Sequence, residues 1–438
     1  METINVDFSV KKGKIKPMHA VNNGPIVSRN VSNEHLFKEA GIPYIRNHDA
    51  AFCANYGGSH TVDIPAIFPD FDADVNDESS YDFTLTDMYL QRNQNTGAQN
   101  FYRLGVKIEH EIKKYGTIPP KDFNKWAQIC EHIIRHYNEG WADGFNYDIE
   151  YWEIYNEPDC QPVPENSNFW QGTPEEFYRL YDVTAKYLKG KFPELKIGGY
   201  GSCGFYALTK TNAVNTGSSP ENQYFITFFE DFLSYIKEHN SPMDFFTWHS
   251  YTTTWKNQQY IGYVREMLAG AGYGETEIIV DEWNFNPMEN DKIDRRYGAN
   301  QTSMLIMYQN EGLDMAHYYC ANYWPESVHA GMFVRENKPS SAYYGFRAFG
   351  QMYALGNQAE IKNKSLPEDL YAVAATGDGG QALLISNISE KKDRTLKIDA
   401  GEYTVDKCMT VNESCEWVEI ELPDKIESGQ MLYITFEK

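Results

Sequence analysis

Two short stretches carry the residue types that could break an acetal. Tyr151-Trp152-Glu153-Ile154-Tyr155 runs into Asn156-Glu157-Pro158, and Ile278-Ile279-Val280 runs into Asp281-Glu282-Trp283. In each, an apolar run suited to a buried strand finishes on a glutamate. Cleaving a glycosidic bond requires two carboxyl groups flanking the anomeric carbon. One holds a proton for the leaving oxygen, and the other is ionised against the oxocarbenium-like centre. A single glutamate at a strand end is commonplace, and two unrelated surface glutamates are the rival reading. The pair acquires meaning only if the fold aims both into one cleft.

A parallel barrel would do that, because its strands all finish on one face and the loops there build the active site. Eight apolar runs alternate with helical patterns between residues 16 and 350: 16–21, 42–46, 101–108, 151–156, 195–200, 244–251, 277–283 and 315–324. Glu157 then ends the fourth strand and Glu282 the seventh, nearly opposite each other. Pro158 cannot continue a ladder and marks the strand end. A helix is predicted near 121–139, with Trp126, Ile129, Ile133 and Tyr137 on one face and Gly140 as its stop. Thr173-Pro174-Glu175-Glu176 reads as a capping box with proline at the first helical position. No G-x-G-x-x-G follows the first strand, which disfavours a dinucleotide fold. Residues 49–84, rich in Asp, Gly, Ser and Pro, form an insertion long enough to wall a cleft.

After about 355 the runs become short and alternating, separated by turn residues such as Asp378-Gly379-Gly380, as in an antiparallel β-sandwich. The N-terminal run, with Ile4, Val6, Phe8 and Val10 alternating, is expected to pair with it. The expected fold class is therefore α/β, a (β/α)₈ barrel over 16–350 with an appended sandwich made of 1–15 and 351–438.

A net charge of −23 repels nucleic acid and anionic membranes, so neither is expected as a partner. No run of about 18 apolar residues is present, so no membrane span is expected. The seven cysteines are scattered without a C-x-x-C, which argues for free thiols in a reducing compartment. The first residues contain no apolar core of signal-peptide length. A cytoplasmic location is the expectation, and a homo-oligomer is compatible with it. Aromatics reach 15%, which suits either packing or stacking surfaces for sugar rings.

The ordered set IRNHDA, VDIPAIFPDFDADV, YRLGVKIEH, WEIYNEPD, FTWHSYTTT and VDEWNF resembles glycoside hydrolase family 39, the family of β-xylosidases and α-L-iduronidases. The set spans the whole barrel. The resemblance implies a retaining (β/α)₈ glycosidase in which Glu157 is the acid/base and Glu282 the nucleophile. It implies further that Asn156 bonds the sugar's 2-hydroxyl, and that His249 and Tyr251 orient the nucleophile and the sugar. Asp281 stands where the resemblance leads one to expect Thr or Ser, which bears on the substrate rather than on the chemistry. The expected activity is exo-acting and β-xylosidase-like on a carbohydrate substrate. A hexosidase or endo-acting relative, or a non-catalytic carbohydrate-binding barrel, is the alternative.

Further candidates come from the strand ends. His249 and Tyr251 lie two apart and share a strand face, unless they are a core histidine and a packing tyrosine. Arg46 ends the second strand; an arginine near Glu282 would keep it ionised, and a structural ion pair inside the barrel mouth is the rival. His48 and Asp49 could bind hydroxyls or make an internal ion pair, and Lys107 and Glu109 pose the same choice. Trp324, before Pro325, is a candidate platform for a sugar ring, with packing as the rival. His132 and His136 form H-x-x-x-H without the glutamate of H-E-x-x-H, on a helix expected in the outer ring, and read as solvated. No cofactor and no metal are expected. A metal-dependent sugar isomerase would need a ligand cluster across several strand ends that the sequence does not offer.

Overall fold

The computed structural model describes residues 2–27, 31–48, 61–109, 114–211, 219–285, 294–322, 331–335 and 338–438. Strand β1 spans Glu2–Lys14. Eight parallel strands then close a barrel in sequence order: β2 Ala20–Asn22, β3 Tyr44–Arg46, β4 Gln99–Leu104, β5 Tyr151–Ile154, β6 Lys196–Ser202, β7 Phe245–Ser250, β8 Glu277–Trp283 and β9 Met315–Tyr318. Each falls within or overlaps one of the eight runs read from the sequence. Closure comes from β2 pairing β9, with Ala20 opposite His317.

Side chains two apart on a strand share a face, so the barrel interior is layered. Ala20, Phe101, Tyr151, Phe245, Ile279 and Met315 form an apolar floor, with Tyr44 packed against it. Two residues further along the same strands stand Asn22, Arg46, Arg103, Glu153, Thr247, Asp281 and His317, all buried. An apolar floor therefore carries a layer of polar and charged groups, directly beneath the strand ends.

The outer helices follow local rules. Helix Phe123–Glu139 starts at Asp122, whose carboxylate accepts from the backbone N–H of Asn124 and Lys125, and stops at Gly140 in the left-handed region. Helix Pro174–Lys191 opens on the capping box of Thr173 and Glu176. His136 is a correction to the reading of a solvated pair. It is buried, stacked on Phe83, with its ring nitrogens 3.0 Å from Asp87 Oδ1 and 2.8 Å from Trp141 O.

The C-terminal part is one curled sheet of nine strands, in the order Trp417–Ile420, Thr404–Val411, Gln430–Glu437, Gly380–Asn387, Leu370–Gly377, Asn357–Ile361, β1, Arg394–Asp399 and Lys425–Ile426. Neighbours are antiparallel except β1 with Arg394–Asp399, so the sandwich is mixed. The N-terminal strand thus joins this sheet. Ala372, Ala374, Leu383, Ile385, Leu432 and Ile434 face the interior of the curl. Val373, Ala375, Ala382, Leu384 and Tyr433 belong to the core shared with the barrel. Helix Ser341–Leu355 runs past residue 350. We propose the division between the two parts after Leu355.

Candidate active site

The pairing of β5 with β4 ends at Ile154, before the proline. The chain leaves the strand through Tyr155 at φ 78 and Glu157 at φ 47, both in the left-handed region that non-glycine residues seldom occupy. This is a correction to the reading in which Pro158 ends the strand. The Glu157 N–H is then satisfied by Gly201 O at 2.9 Å, on the neighbouring β6.

Strand β8 delivers its carboxylate by a different device. Consecutive strand residues point to opposite faces, yet Asp281 and Glu282 are both buried in the site. Trp248 of β7 pairs with Val280 and His249 with Glu282, so Asp281 is an extra residue in the ladder. That bulge turns both acidic side chains towards the same network.

Arg46 is the centre of that network and is fully buried. Its Nε donates to Glu153 Oε2 at 2.7 Å, and Nη1 donates to Glu282 Oε1 at 2.9 Å and Asn22 Oδ1 at 3.1 Å. Its Nη2 donates to Asn156 Oδ1 at 2.6 Å and lies 3.1 Å from Asp281 Oδ2. Tyr251 donates its hydroxyl to Glu282 Oε2 at 2.6 Å. His249 joins the two strand-end glutamates: Nδ1 lies 2.7 Å from Glu157 Oε1, and Nε2 lies 3.3 Å from Asp281 Oδ2 and 3.4 Å from Glu282 Oε1. Asn156, with its oxygen held by Arg46, has a buried amide nitrogen with no partner among the described residues.

The electrostatics follow from burial and crowding. Burial pushes the Glu282 carboxyl above the ordinary glutamate value, and Glu157 and Asp281 add to that; His249 and Arg46 pull it back. Glu153 is pushed up to about 8, chiefly by burial, against the pull of Arg46. Asp281 goes the other way: burial is outweighed by the Arg46 guanidinium and by His249, so it stays charged. Burial alone would strip the proton from His249, but Glu282, Asp281 and Glu157 raise it well above an ordinary histidine.

Glu153 yields a stability prediction. Its folded value near 8 exceeds the ordinary 4.5. The folded state then keeps a proton that the unfolded chain gives up, so this group's stabilisation is full below the ordinary value and drains away up to about pH 8. Glu153→Gln imitates the protonated form. Thermal melts should show wild type losing more stability than the variant between about pH 5 and about pH 8. An equal or larger loss in the variant would contradict the assignment.

Of the residues expected from the sequence, Glu157, Glu282, Asn156, His249, Tyr251 and Arg46 are brought together. His48 joins them at the rim, its Nε2 3.7 Å from Glu282 Oε1. Asp49 and Trp324 lie outside the described residues. Glu109 is engaged elsewhere, accepting from the backbone N–H of Tyr115 and Gly116. Sequence reasoning passed over Glu153, although a lone charge in an apolar strand, two residues from Tyr151, is a legible signal. It also passed over Tyr319, a half-buried ring edge-on to His48 and Tyr251, and Asp159, whose carboxylate accepts from Ser202 Oγ and Cys203 N.

A model of the family described as glycosyl hydrolases family 39 matches residues 37–309, more than half of the chain. The chain belongs to that family. It is therefore a glycoside hydrolase, and its substrate is a carbohydrate. A β-xylosidase of Geobacillus stearothermophilus is 22% identical over 408 residues, covering 82% of this chain and 70% of that protein. Among solved structures, a glucosidase from Croceicoccus marinus superposes with a TM-score of 0.77 at 20% identity, covering 100% of this chain and 99% of the other. A family 39 β-xylosidase from Caulobacter crescentus gives 0.67 at 15% identity, with both chains fully covered. At these identities the superpositions speak for the fold of the family 39 enzyme. No helix among its described residues is long and apolar enough to cross a membrane.

Proposed function

We propose that this family 39 enzyme is a retaining exo-glycosidase of the β-xylosidase type, with Glu282 as nucleophile and Glu157 as acid/base. The observation that carries the reading is the convergence of both glutamates on the two nitrogens of His249, with Arg46 and Tyr251 each donating to Glu282. Donors on both of its oxygens favour the ionised form that a nucleophile needs.

A charge count gives the other half. Four carboxyls, of Glu153, Glu157, Asp281 and Glu282, surround two cations, Arg46 and protonated His249. Glu153 keeps its proton at neutral pH and Asp281 is charged. With Glu282 ionised, the two carboxylates of Asp281 and Glu282 balance the two cations. His249 donates to Glu157 Oε1 at 2.7 Å, which leaves Oε2 as the oxygen that can serve the leaving group.

In the first step the Glu282 carboxylate attacks the anomeric carbon while Glu157 protonates the departing glycosidic oxygen. In the second, Glu157 takes a proton from water, and the resulting nucleophile displaces Glu282 from the same carbon. Two inversions give net retention. The amide nitrogen of Asn156, without a partner among the described residues, is the donor for the 2-hydroxyl. Neither step requires a metal.

Exo action and preference for xylose are supported by the β-xylosidase relative. A hexosidase is the second reading, favoured by the superposition on a glucosidase. Hydrolysis of aryl β-xylosides and β-glucosides side by side should give the larger kcat/KM for the xyloside, and the opposite order would select the second reading. Proton NMR of the first-formed sugar should show the anomeric configuration of the substrate, and an inverted first product would refute the double displacement. Random mid-chain cutting of a polysaccharide, read as a rapid fall in viscosity, would refute exo action.

A further inference from the structure

We propose that Glu157, Cys160 and Cys203 form a binding site for one thiophilic divalent cation, of the Zn²⁺ or Cd²⁺ kind, whose occupation switches hydrolysis off. The inference rests on Glu157 being the acid/base. One ligand atom from each of the three side chains lies within 4.8 Å of the other two.

The backbone explains why side chains so distant in sequence meet. After Glu157 the chain makes a tight turn, with Cys160 N–H donating to Glu157 O at 3.1 Å, so the Cys160 side chain returns beside the carboxylate. The end of β6 is stitched to this turn at three points. Glu157 N–H donates to Gly201 O, while the Asp159 carboxylate accepts from Ser202 Oγ at 2.7 Å and from Cys203 N–H at 3.1 Å. The fold therefore presents both thiols as free cysteines without a disulfide to hold them. Cys203 is buried, in a small apolar cluster with Tyr206 and Phe225, while Glu157 and Cys160 are half-buried at the cleft.

The donor set selects the ion. Two sulfurs and one carboxylate oxygen suit a borderline-soft cation and are poor ligands for Mg²⁺ or Ca²⁺. Zinc–sulfur bonds of about 2.3 Å and zinc–oxygen bonds of about 2.0–2.2 Å require donors about 3.5–4 Å apart in a tetrahedron. The present spacing, within 4.8 Å, is close to that requirement. Tetrahedral coordination leaves a fourth position for water. On binding, two thiol S–H bonds and the O–H bond of the Glu157 acid break, two metal–sulfur bonds and one metal–oxygen bond form, and three protons leave to solvent. The dication replaces three protons, so the net charge falls by one beside the cations Arg46 and His249. A carboxylate bound to the ion can neither give nor take a proton.

The test uses the whole chain, freed of metal with a chelator and held in a phosphine reductant so that no disulfide forms. Titration with Cd²⁺ should raise an ultraviolet thiolate-to-metal absorption that saturates at one equivalent. Aryl glycoside hydrolysis should fall in parallel, and added chelator should reverse both. Cys160→Ser and Cys203→Ala should each keep metal-free hydrolysis and require on the order of 100-fold more Cd²⁺ for inhibition, since a lost ligand costs at least as much as a lost supporting contact. Cys160 is half-exposed, so its variant remains informative if the Cys203 change disturbs folding. Absence of the absorption, or equal Cd²⁺ sensitivity in the variants, overturns the site. Absorption at one equivalent with hydrolysis undiminished overturns the switch and, separately, the reading of Glu157.

Discussion

Glu282→Ala should abolish turnover of every glycoside, including those with leaving groups that need no protonation. Without the carboxylate no glycosyl-enzyme can form, so a good leaving group offers no escape. The loss on natural substrates should be on the order of 10³-fold or more, at about 1.4 kcal/mol per decade. The variant should still fold, because Arg46 keeps its contacts to Glu153, Asp281, Asn22 and Asn156. Thermal melting checks that point independently of activity. Azide can occupy the space of the missing carboxylate and attack the anomeric carbon directly. It should give a glycosyl azide of inverted configuration. Dinitrophenyl glycoside hydrolysis near the wild-type rate would remove Glu282 from the mechanism.

How Glu282 reaches the cleft shows where sequence reading is strong and where it stops. The strand itself is legible, because Ile278, Ile279 and Val280 form an apolar run that a parallel barrel buries on both faces. The bulge at Asp281 is not legible, because it arises from how β7 and β8 are joined rather than from any local preference. Without it, Asp281 and Glu282 would face opposite sides, and Arg46 could not meet both. The left-handed residues Tyr155 and Glu157 are similarly hidden. The sequence offers Pro158 as the stop, whereas tertiary hydrogen bonding to Gly201 fixes the turn before it.

The two-residue period of the barrel strands encodes more than the strands themselves. The two-residue repeat that places Tyr151 on the barrel floor also places Glu153 inside, one layer up. Read on every strand, that repeat yields the whole charged layer beneath the site. In the C-terminal sheet continuous apolar runs mark the strands buried on both faces, such as 372–376 and 382–386. They miss Asn357–Ile361 and Lys425–Ile426, where polar or very short segments carry no such run. His136 is legible too: it stands three residues after Ile133 and seven after Ile129, at the edge of the apolar stripe, and is covered by Phe83. Cys160 and Cys203 could not have been paired from sequence, since only the stitching through Asp159 brings them together.

Glu157→Ala should separate the two chemical steps instead of stopping both. An acid is needed in the first step only when the leaving oxygen is basic. A dinitrophenolate departs unaided, so the variant should still form the glycosyl-enzyme on Glu282 from a dinitrophenyl glycoside. It should then stall, because water attacking the anomeric carbon has lost its general base. The stalled intermediate should appear as a pre-steady-state burst and as a mass increase on the protein equal to one glycosyl group. On glycosides with poorer leaving groups the loss should again be on the order of 10³-fold. His249 loses its partner at Nδ1 but keeps Asp281 and Glu282 at Nε2, so the nucleophile's surroundings are largely preserved. Azide needs no base. It should enter the position vacated by Glu157, intercept the glycosyl-enzyme and restore turnover with retained configuration. The two variants thus return opposite anomers of the same glycosyl azide. NMR of those products decides the roles: exchanged configurations would exchange the assignments of Glu157 and Glu282, and failure of azide to revive Glu157→Ala would deny that a covalent intermediate waits there.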